Sequence, residues 1–354
     1  MRKRIIITVF ISIIACCDEQ RDLYDTASPL IEIKGNWVPS LGMEDMSGRA
    51  TAMLYHNDKV TKEFFLKPNS VTARVTQGEY DILIFNGMMF SEENTNLDHI
   101  LFRNTNNIAH FEAVAVEVAP NARLVRANGE YIASNDMELL TVARTQLSVE
   151  GERLYYLKYK NGRDMNTNME SIVERTVSLT PYAVSYPTQV MIHLTNPSSA
   201  AIANGALRGF VGAVMMASGA PSLFDVTHHL RLNNLIITNQ GTAGNPNDPE
   251  TGTIESPWFV TFGPPLDESN RRYTFELSII LRDGQTVNGT FDITDQINAT
   301  ILRIKNYRQT PTTIQFRLTI PIEISVNLPK VEGESGVDVN DWEEDEIIRV
   351  VIKP

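Results

Sequence analysis

The sequence predicts an all-β protein, and three observations support that prediction. Short runs alternate apolar and polar residues with a period of two, which is typical of strands that bury one face. Turn residues such as Asn57-Asp58, Lys67-Pro68-Asn69 and Gln77-Gly78 separate the runs. Successive runs begin roughly 8–12 residues apart, a spacing that favours an antiparallel sandwich or barrel.

The first residues of the chain are typical of a signal peptide. A basic stretch, Arg2 to Arg4, precedes an uncharged apolar run at residues 5–14, and Ala15 supplies the small residue expected before a cleavage site. The apolar run is too short to span a bilayer, which needs about 20 residues. We therefore expect residues 1–15 to be a signal peptide.

The two cysteines of the chain, Cys16 and Cys17, are adjacent. An adjacent pair fits neither a disulfide framework nor the ligand spacing of a zinc site. The run Ile13-Ile14-Ala15-Cys16 instead resembles the lipobox of bacterial lipoproteins, in which the cysteine is acylated and becomes the new N-terminus. Cys16 is the better acceptor, because a choice of Cys17 would place Cys16 at the small-residue position. The resemblance implies a lipid anchor in the outer membrane.

Residues 16–28 are predicted to be a polar tether between the lipid and the first domain. Within them, Cys17-Asp18-Glu19 resembles the acidic export signal that sends lipoproteins of Bacteroides-type bacteria to the outer surface. Asp25-Thr26-Ala27 resembles the O-glycosylation sequon of the same bacteria, which makes Thr26 a candidate glycosylation site.

Composition limits the classes of partner and the number of domains. Loss of residues 1–15, which carry three positive charges and no acid, moves the formal net charge from −12 to −15. So acidic a chain is not expected to bind nucleic acid, which requires a basic patch against the phosphates. With 42% hydrophobic residues the chain is globular. A mature length of roughly 340 residues favours two domains.

The predicted N-terminal domain covers residues 29–170. Its interruptions are a long loop with a short element at 86–107, a turn of helix at 135–145 and a polar linker at 161–171. Its predicted strands are LIEIKGNW (30–37), ATAMLYHN (50–57), VTKEFFL (60–66), VTARV (71–75), EYDILIF (79–85), HFEAVAVEV (110–118) and LYYLKYK (154–160).

The predicted C-terminal domain covers residues 171–354 and ends in a strand at 346–353. Arg282-Asp283-Gly284 is the signal of a hairpin turn within it. Its other predicted strands fall in the runs 173–186, 188–196, 207–217, 229–238, 258–263, 272–284, 285–294 and 313–329.

A set of strand and turn motifs recurs along nearly the whole mature chain. They are Trp37, ATAMLYHND (50–58), TQGEYDILIFN (76–86), WFVTFG (258–263), LRDGQ (281–285), FDITDQI (291–297), ISVNLP (324–329) and a C-terminal DW…EIIRVVI. Together with the lipobox they resemble the fimbrillin-like surface lipoproteins of Bacteroides-type bacteria. The resemblance implies two tandem transthyretin-like β-sandwich domains. It also implies a fimbrial subunit or anchor whose partners are homologous subunits, joined to it by donation of a β-strand.

Two segments are candidates for that exchange. In related subunits a protease cuts after a basic residue beyond the first strand, and the matching position here is Arg49. Arg49 could equally be one surface arginine of a polar loop, in which case the lipid stays as an anchor. The terminal strand 346–353 could be donated to a neighbour, or it could close its own domain.

Catalytic and metal-binding motifs are absent from the sequence, so we expect neither an enzyme nor a cofactor. His228 and His229 would point to opposite faces of a strand and could not easily share a metal. The acids between 338 and 345 lack the order of a calcium loop. Trp258, Phe259 and Phe262 could form a sugar-stacking platform, although alternation would bury half of that set.

Two functions therefore remain at the level of sequence. The first is a fimbrial subunit or anchor at the cell surface, which could also bind a host or bacterial surface ligand. The second is a surface glycan-binding lipoprotein of a nutrient-uptake system. An exchangeable strand would favour the first, whereas an exposed aromatic patch would favour the second.

Overall fold

The structure is a computed structural model, and it describes residues 29–37, 50–67, 69–87, 89–91, 94–95, 99–117, 131–149, 175–222, 224–242, 248–266, 271–309 and 318–331. Most of these residues lie in antiparallel sheets, so the predicted β-rich fold is confirmed at that level. Cys16, Cys17, Thr26, Arg49 and the strands expected at 154–160 and 346–353 lie outside the described residues.

Two sheets in the N-terminal part pack around a shared hydrophobic cluster that includes Ile33, Leu54 and Ile84. The smaller sheet has the order β11-β1-β4, with β1 at Leu30–Gly35, β4 at Ser70–Arg74 and β11 at Arg175–Leu179. The larger has the order β12-β10-β5-β2-β3, with β2 at Ala50–His56, β3 at Lys59–Leu66, β5 at Gly78–Asn86, β10 at Thr141–Val149 and β12 at Tyr182–Ala183.

The larger sheet is buried on both faces. Ile82 and Ile84 of β5 belong to the first cluster, whereas Leu83 and Phe85 point the other way into a second. The second cluster also contains residues of a sheet with the order β15-β9-β8. Its strands are β8 at Ile100–Arg103, β9 at Glu112–Ala115 and β15 at Ala213–Met215, and a separate pair is formed by β6 at Met89–Ser91 and β7 at Asn94–Thr95.

The C-terminal part has its own pair of sheets around a third cluster. One is built on β13 at Tyr186–Thr195, flanked on one side by β18 at Thr251–Glu255 and β19 at Phe259–Thr261, and on the other by β22 at Ile320–Asn327. Its outer strand beyond β18 is β17 at Asn234–Asn239. The other sheet has the order β16-β14-β20-β21, with β14 at Ala200–Val211, β16 at Asp225–Leu232, β20 at Thr274–Leu281 and β21 at Thr286–Asp292.

A helix, α1 at Thr294–Gln309, departs from the all-β prediction. Ile297, Ile301, Ile304 and Tyr307 are buried in the third cluster, and their spacing of four, three and three residues places them on one helical face. The FDITDQI motif therefore ends a strand and begins a helix. Within the part of the chain that the structure describes, no helix has the length and apolarity to cross a bilayer.

Three local predictions can be compared directly with the structure. The turn of helix expected at 135–145 is wrong, because residues 136–140 are irregular and strand β10 begins at Thr141. The hairpin at Arg282-Asp283-Gly284 is confirmed, since β20 and β21 pair across it and Gly284 has a φ of 84°. The domain boundary near 170 stays a prediction; β11, which follows it, pairs in parallel with β1.

Gly205 in β14 leaves room for the buried ring of Phe275. A Cβ atom at this position would overlap the Phe275 ring and lie 2.8 Å from its Cε2. We expect Gly205→Ala to lower the free energy of unfolding by about 1–3 kcal/mol, because overpacking forces side chains out of their rotamers. Urea unfolding would measure the change. Adding Phe275→Leu should recover part of the loss, and strict additivity of the two changes would contradict the overlap.

Candidate strand-exchange site

Strand β1 lies in the middle of its sheet, where a lost strand would leave the largest gap. It pairs in parallel with β11, from Ile31 opposite Arg175 to Gly35 opposite Leu179, and antiparallel with β4 on its other side. Further backbone bonds hold its end, where the Gly35 N–H donates to Asn69 at 2.8 Å and the Asn36 N–H to Leu179 at 2.7 Å. Removal of β1 would leave unpaired backbone groups on both flanking strands.

The apolar side chains of β1 form part of the first hydrophobic cluster. Ile31 and Ile33 are 3% and 0% exposed, and the cluster they share includes residues of the larger sheet. Between them, the Glu32 carboxylate accepts a hydrogen bond from the Thr176 hydroxyl of β11 at 2.9 Å. The position vacated by β1 would thus be an apolar groove with two open sheet edges, the arrangement that a foreign strand can complete.

The bond after Arg49 joins the undescribed segment 38–49 to strand β2. Ala50, the first residue of β2, is fully buried and pairs with both Leu66 and Asn86. A protease that cuts after Arg49 would therefore need the beginning of β2 to separate from its neighbours, because an extended, accessible chain is required on both sides of the bond.

Helix α1 covers the outer edge of β22 along the first half of that strand. The side chain of Gln296 donates to the carbonyl of Glu323 at 2.7 Å and accepts from its N–H at 2.9 Å. Arg303 donates to the carbonyl of Thr319 at 2.7 Å, and Pro321 has no N–H to offer. These three features occupy the backbone positions that an added strand would use.

Gln296→Ala should expose that edge at small thermodynamic cost. Loss of two hydrogen bonds at an exposed position is expected to lower the free energy of unfolding by about 1 kcal/mol. The more specific result is faster hydrogen exchange of the Glu323 amide. Asn298→Ala, an exposed change on the same helix, serves as the control. Equal exchange at Glu323 in both variants would contradict the role of Gln296.

Strand β17 has a different kind of edge. Within the described residues it pairs with β18 alone, and its sequence Asn234–Asn239 contains neither charge nor proline. Ile236 and Ile237 are 43% and 42% exposed. Natural sheets usually protect an edge strand with charged residues, proline or a covering segment, so this edge stands out.

Arg308 near the end of α1 connects the helix to the segment between the two pairs of sheets. Its guanidinium donates to the Tyr186 hydroxyl and to the Gly219 carbonyl, both at 3.0 Å, and lies 5.1 Å from the centre of the Tyr182 ring. Burial raises the pKa of Tyr186, although the neighbouring Arg308 opposes that shift. Arg308 and Tyr186 are 122 residues apart in the sequence, so no local sequence pattern indicates their contact.

The two adjacent histidines of β16 lie in different surroundings. His228 is fully buried between the rings of Phe210 and Phe259, and its Nδ1 lies 3.1 Å from Asn135 Oδ1. Burial lowers its pKa to about 3. His229 is half-buried; burial and the nearby Arg208 lower its pKa. In the described part of the chain, no three His, Cys, Asp or Glu side chains converge to hold a metal ion.

The aromatic platform considered from the sequence does not form from its three residues. Trp258 is 56% exposed, but Phe259 and Phe262 are 4% and 2% exposed and belong to two different clusters. A single exposed indole ring remains at this place. Strand alternation would place Trp258 and Phe262 on the same face, but the first is exposed and the second is buried.

The fold of this chain is similar to that of a protein whose structure is known. The structure is similar to that of a candidate adhesin from Bacteroides ovatus, with a TM-score of 0.54 and 13% sequence identity over 88% of this chain and 96% of that chain. The chain shares the fold of this candidate adhesin. The resemblance that the sequence motifs indicated is thereby confirmed at the level of fold.

Two further solved structures are more distant. A candidate adhesin from Bacteroides thetaiotaomicron has a TM-score of 0.48 and 8% identity over 85% of this chain and 92% of that chain. The fimbrial anchor protein Mfa2 from Porphyromonas gingivalis has a TM-score of 0.41 and 11% identity over 84% of this chain and 90% of that chain. No protein-family model and no curated protein sequence matches the chain.

Proposed function

We propose that this protein is a cell-surface adhesion lipoprotein that acts as a fimbrial subunit or as the anchor of a fimbrium. The observation that carries the proposal is the fold shared with the Bacteroides ovatus candidate adhesin over 96% of that chain. The lipobox at Cys16 supports it from the sequence. The proposal includes no catalytic step and no cofactor.

The two pairs of sheets correspond, in this proposal, to two tandem transthyretin-like domains. Their separate hydrophobic clusters support that division. The pairing of β11 with β1 and of β12 with β10 supports grouping residues 175–183 with the N-terminal domain, which would move the boundary beyond the position near 170 expected from the sequence. The C-terminal domain then begins with β13 at Tyr186.

Attachment to the outer membrane is proposed to occur through acylated Cys16, with the tether 16–28 exposed at the surface and Thr26 available for glycosylation. Several acyl chains would bind the membrane firmly, since each buried CH₂ contributes about 0.8 kcal/mol. Removal of the signal peptide at 1–15 would make Cys16 the new N-terminus.

Assembly is proposed to use exchange of the first strand. A cut after Arg49 would release β1 together with the lipid and open the groove between β4 and β11 to a strand of a homologous subunit. Because Ala50 is buried and paired, the cut would follow local opening of β2. Without the cut, the lipid stays and the protein serves as an anchor. Arg49→Ala should abolish polymers if the cut operates and leave assembly unchanged if it does not.

The glycan-binding alternative is less well supported. It called for an exposed aromatic patch, and of the three aromatic residues considered only Trp258 is exposed. We therefore do not propose it as a second function.

Localisation of two cysteine variants tests the proposal. Protease treatment of intact cells should digest the wild-type protein, and membrane fractionation should place it in the outer membrane. Cys16→Ser should abolish membrane attachment, whereas Cys17→Ser, the matched control, should leave it intact. Equal attachment of both variants would refute acylation at Cys16, and resistance of the wild-type protein to protease on intact cells would refute surface exposure.

A further inference from the structure

Within the residues that the structure describes, the outer edge of β17 lacks the protection that sheet edges normally have. Its six residues, Asn-Leu-Ile-Ile-Thr-Asn, are uncharged although the whole chain carries a net charge of −12. Exposed strands of high β-propensity and low charge tend to pair with another strand. By contrast, the edge of β22 is capped by Gln296. Of these two edge strands of the sheet, β17 is the one whose outer edge can pair with a further strand.

The last described residue of the chain lies near one end of β17. The N–H of Val331, the last described residue, donates to the Ser199 hydroxyl at 3.1 Å. Ser199 belongs to the short 3₁₀ turn Pro197–Ser199. A Cβ atom at Gly252 would lie 3.0 Å from Pro197 Cγ and 3.2 Å from the Cα of Ile237, so this turn adjoins the Ile237 end of β17.

The chain beyond Val331 has the length and composition to return to this edge. Residues 332–346 are polar and acidic, and residues 347–353 read IIRVVIK, which is rich in β-branched side chains. The first segment can extend about 50 Å, whereas β17 is about 20 Å long. Its length therefore lets residues 347–353 reach any point of the strand.

We propose that residues 347–353 form a strand that pairs with the outer edge of β17 in the same molecule. The proposed pairing is antiparallel, with residue 347 toward Asn239, the end of β17 that lies nearer to the last described residue. Arg349 and Lys353 then give the sheet a charged outer strand, as natural edges require. This inference does not rest on the proposed function, because it follows from the edge, the chain exit and the terminal sequence.

Hydrogen exchange of the full-length mature protein in detergent tests the proposal. Val350→Pro removes an N–H and disfavours strand pairing in the middle of the terminal segment. We expect the amides of β17 that point away from β18 to exchange at least tenfold faster in this variant than in the wild type. Ser335→Pro, a change in the polar segment, should exchange like the wild type. Unchanged protection in β13 and β18 shows that the variant is folded.

Native mass spectrometry at micromolar concentration distinguishes a strand that comes from the same molecule from one that comes from a second copy. The proposal predicts a mass of one chain together with protected β17 amides. Identical exchange of β17 in the wild type and Val350→Pro would overturn it. Protection that appears only with masses of two or more chains would also overturn it, because the strand would then come from a second copy. That last result would leave the proposed function standing, as it is a form of strand donation.

Discussion

Replacing Ile33 with alanine is expected to lower the free energy of unfolding by about 2–5 kcal/mol. Ile33 is fully buried at the centre of β1, in the cluster that joins the two N-terminal sheets. Truncation removes apolar contacts and leaves a cavity whose walls, on strands paired on both sides, cannot easily collapse. Urea or thermal unfolding of the purified protein would measure the change.

Lys34→Ala is the matched control for this experiment. Lys34 is the next residue of the same strand and is exposed, so its truncation is expected to change the free energy of unfolding by no more than about 0.5 kcal/mol. A large loss for Ile33→Ala with none for Lys34→Ala would establish that β1 is an integral strand of the folded chain. Equal, small effects would mean that β1 is not packed in this molecule.

Acidification is expected to destabilise the protein through His228. An unfolded chain binds a proton at this residue below pH 6.5, whereas the folded chain keeps it neutral until about pH 3 because burial lowers its pKa. Stability is therefore lost as the pH falls from 6.5 toward 3, at a rate approaching 1.36 kcal/mol per unit. The groups facing the ring are Phe210, Phe259 and Asn135, and the adjacent His229 further lowers the pKa.

His228→Leu should remove this part of the pH dependence. The free energy of unfolding, measured from pH 7 to pH 4.5, should fall about 2–3 kcal/mol less in the variant than in the wild type. Comparison of the two proteins cancels the titration of their shared carboxylates. His110→Leu, which removes an exposed imidazole, is the control. The same fall in His228→Leu and wild type would contradict burial of a neutral histidine.

The strands were predictable from sequence where one face of a sheet is solvated. In β20 the residues alternate strictly between buried and half-buried positions, and the alternation is visible in the sequence. Strand β2 is buried at six consecutive residues because its sheet lies between two clusters, so its sequence lacks that alternation. There, turn residues rather than periodicity indicated the strand.

Helix α1 was missed for an identifiable reason. Its buried positions are Ile297, Ile301, Ile304 and Tyr307, residue types that also favour strands. The helical spacing of those four residues was the signal that could have revealed it. The capping of β22 by Gln296 had no comparable signal, because the two segments are 27 residues apart and the contact depends on tertiary packing.

Candidate site residues were predicted in two ways, from strand geometry and from sequence motifs. The opposite surroundings of His228 and His229 follow from strand geometry alone, and the structure agrees with that prediction. Cys16, Thr26 and Arg49 were identified by motif, and all three lie outside the described residues. Their roles stay predictions, and they concern modification of the chain rather than its packing.

The intact mass of the protein recovered from the surface of its own cells, read beside a non-boiled gel, tests the central claim most directly. We expect one of two results: a single band whose chain begins at acylated Cys16, as an anchor requires, or a heat-sensitive ladder of chains that begin at Ala50, as a polymerised subunit requires. A single band of chains that carry an unmodified Cys16, or that begin at neither residue, would contradict it.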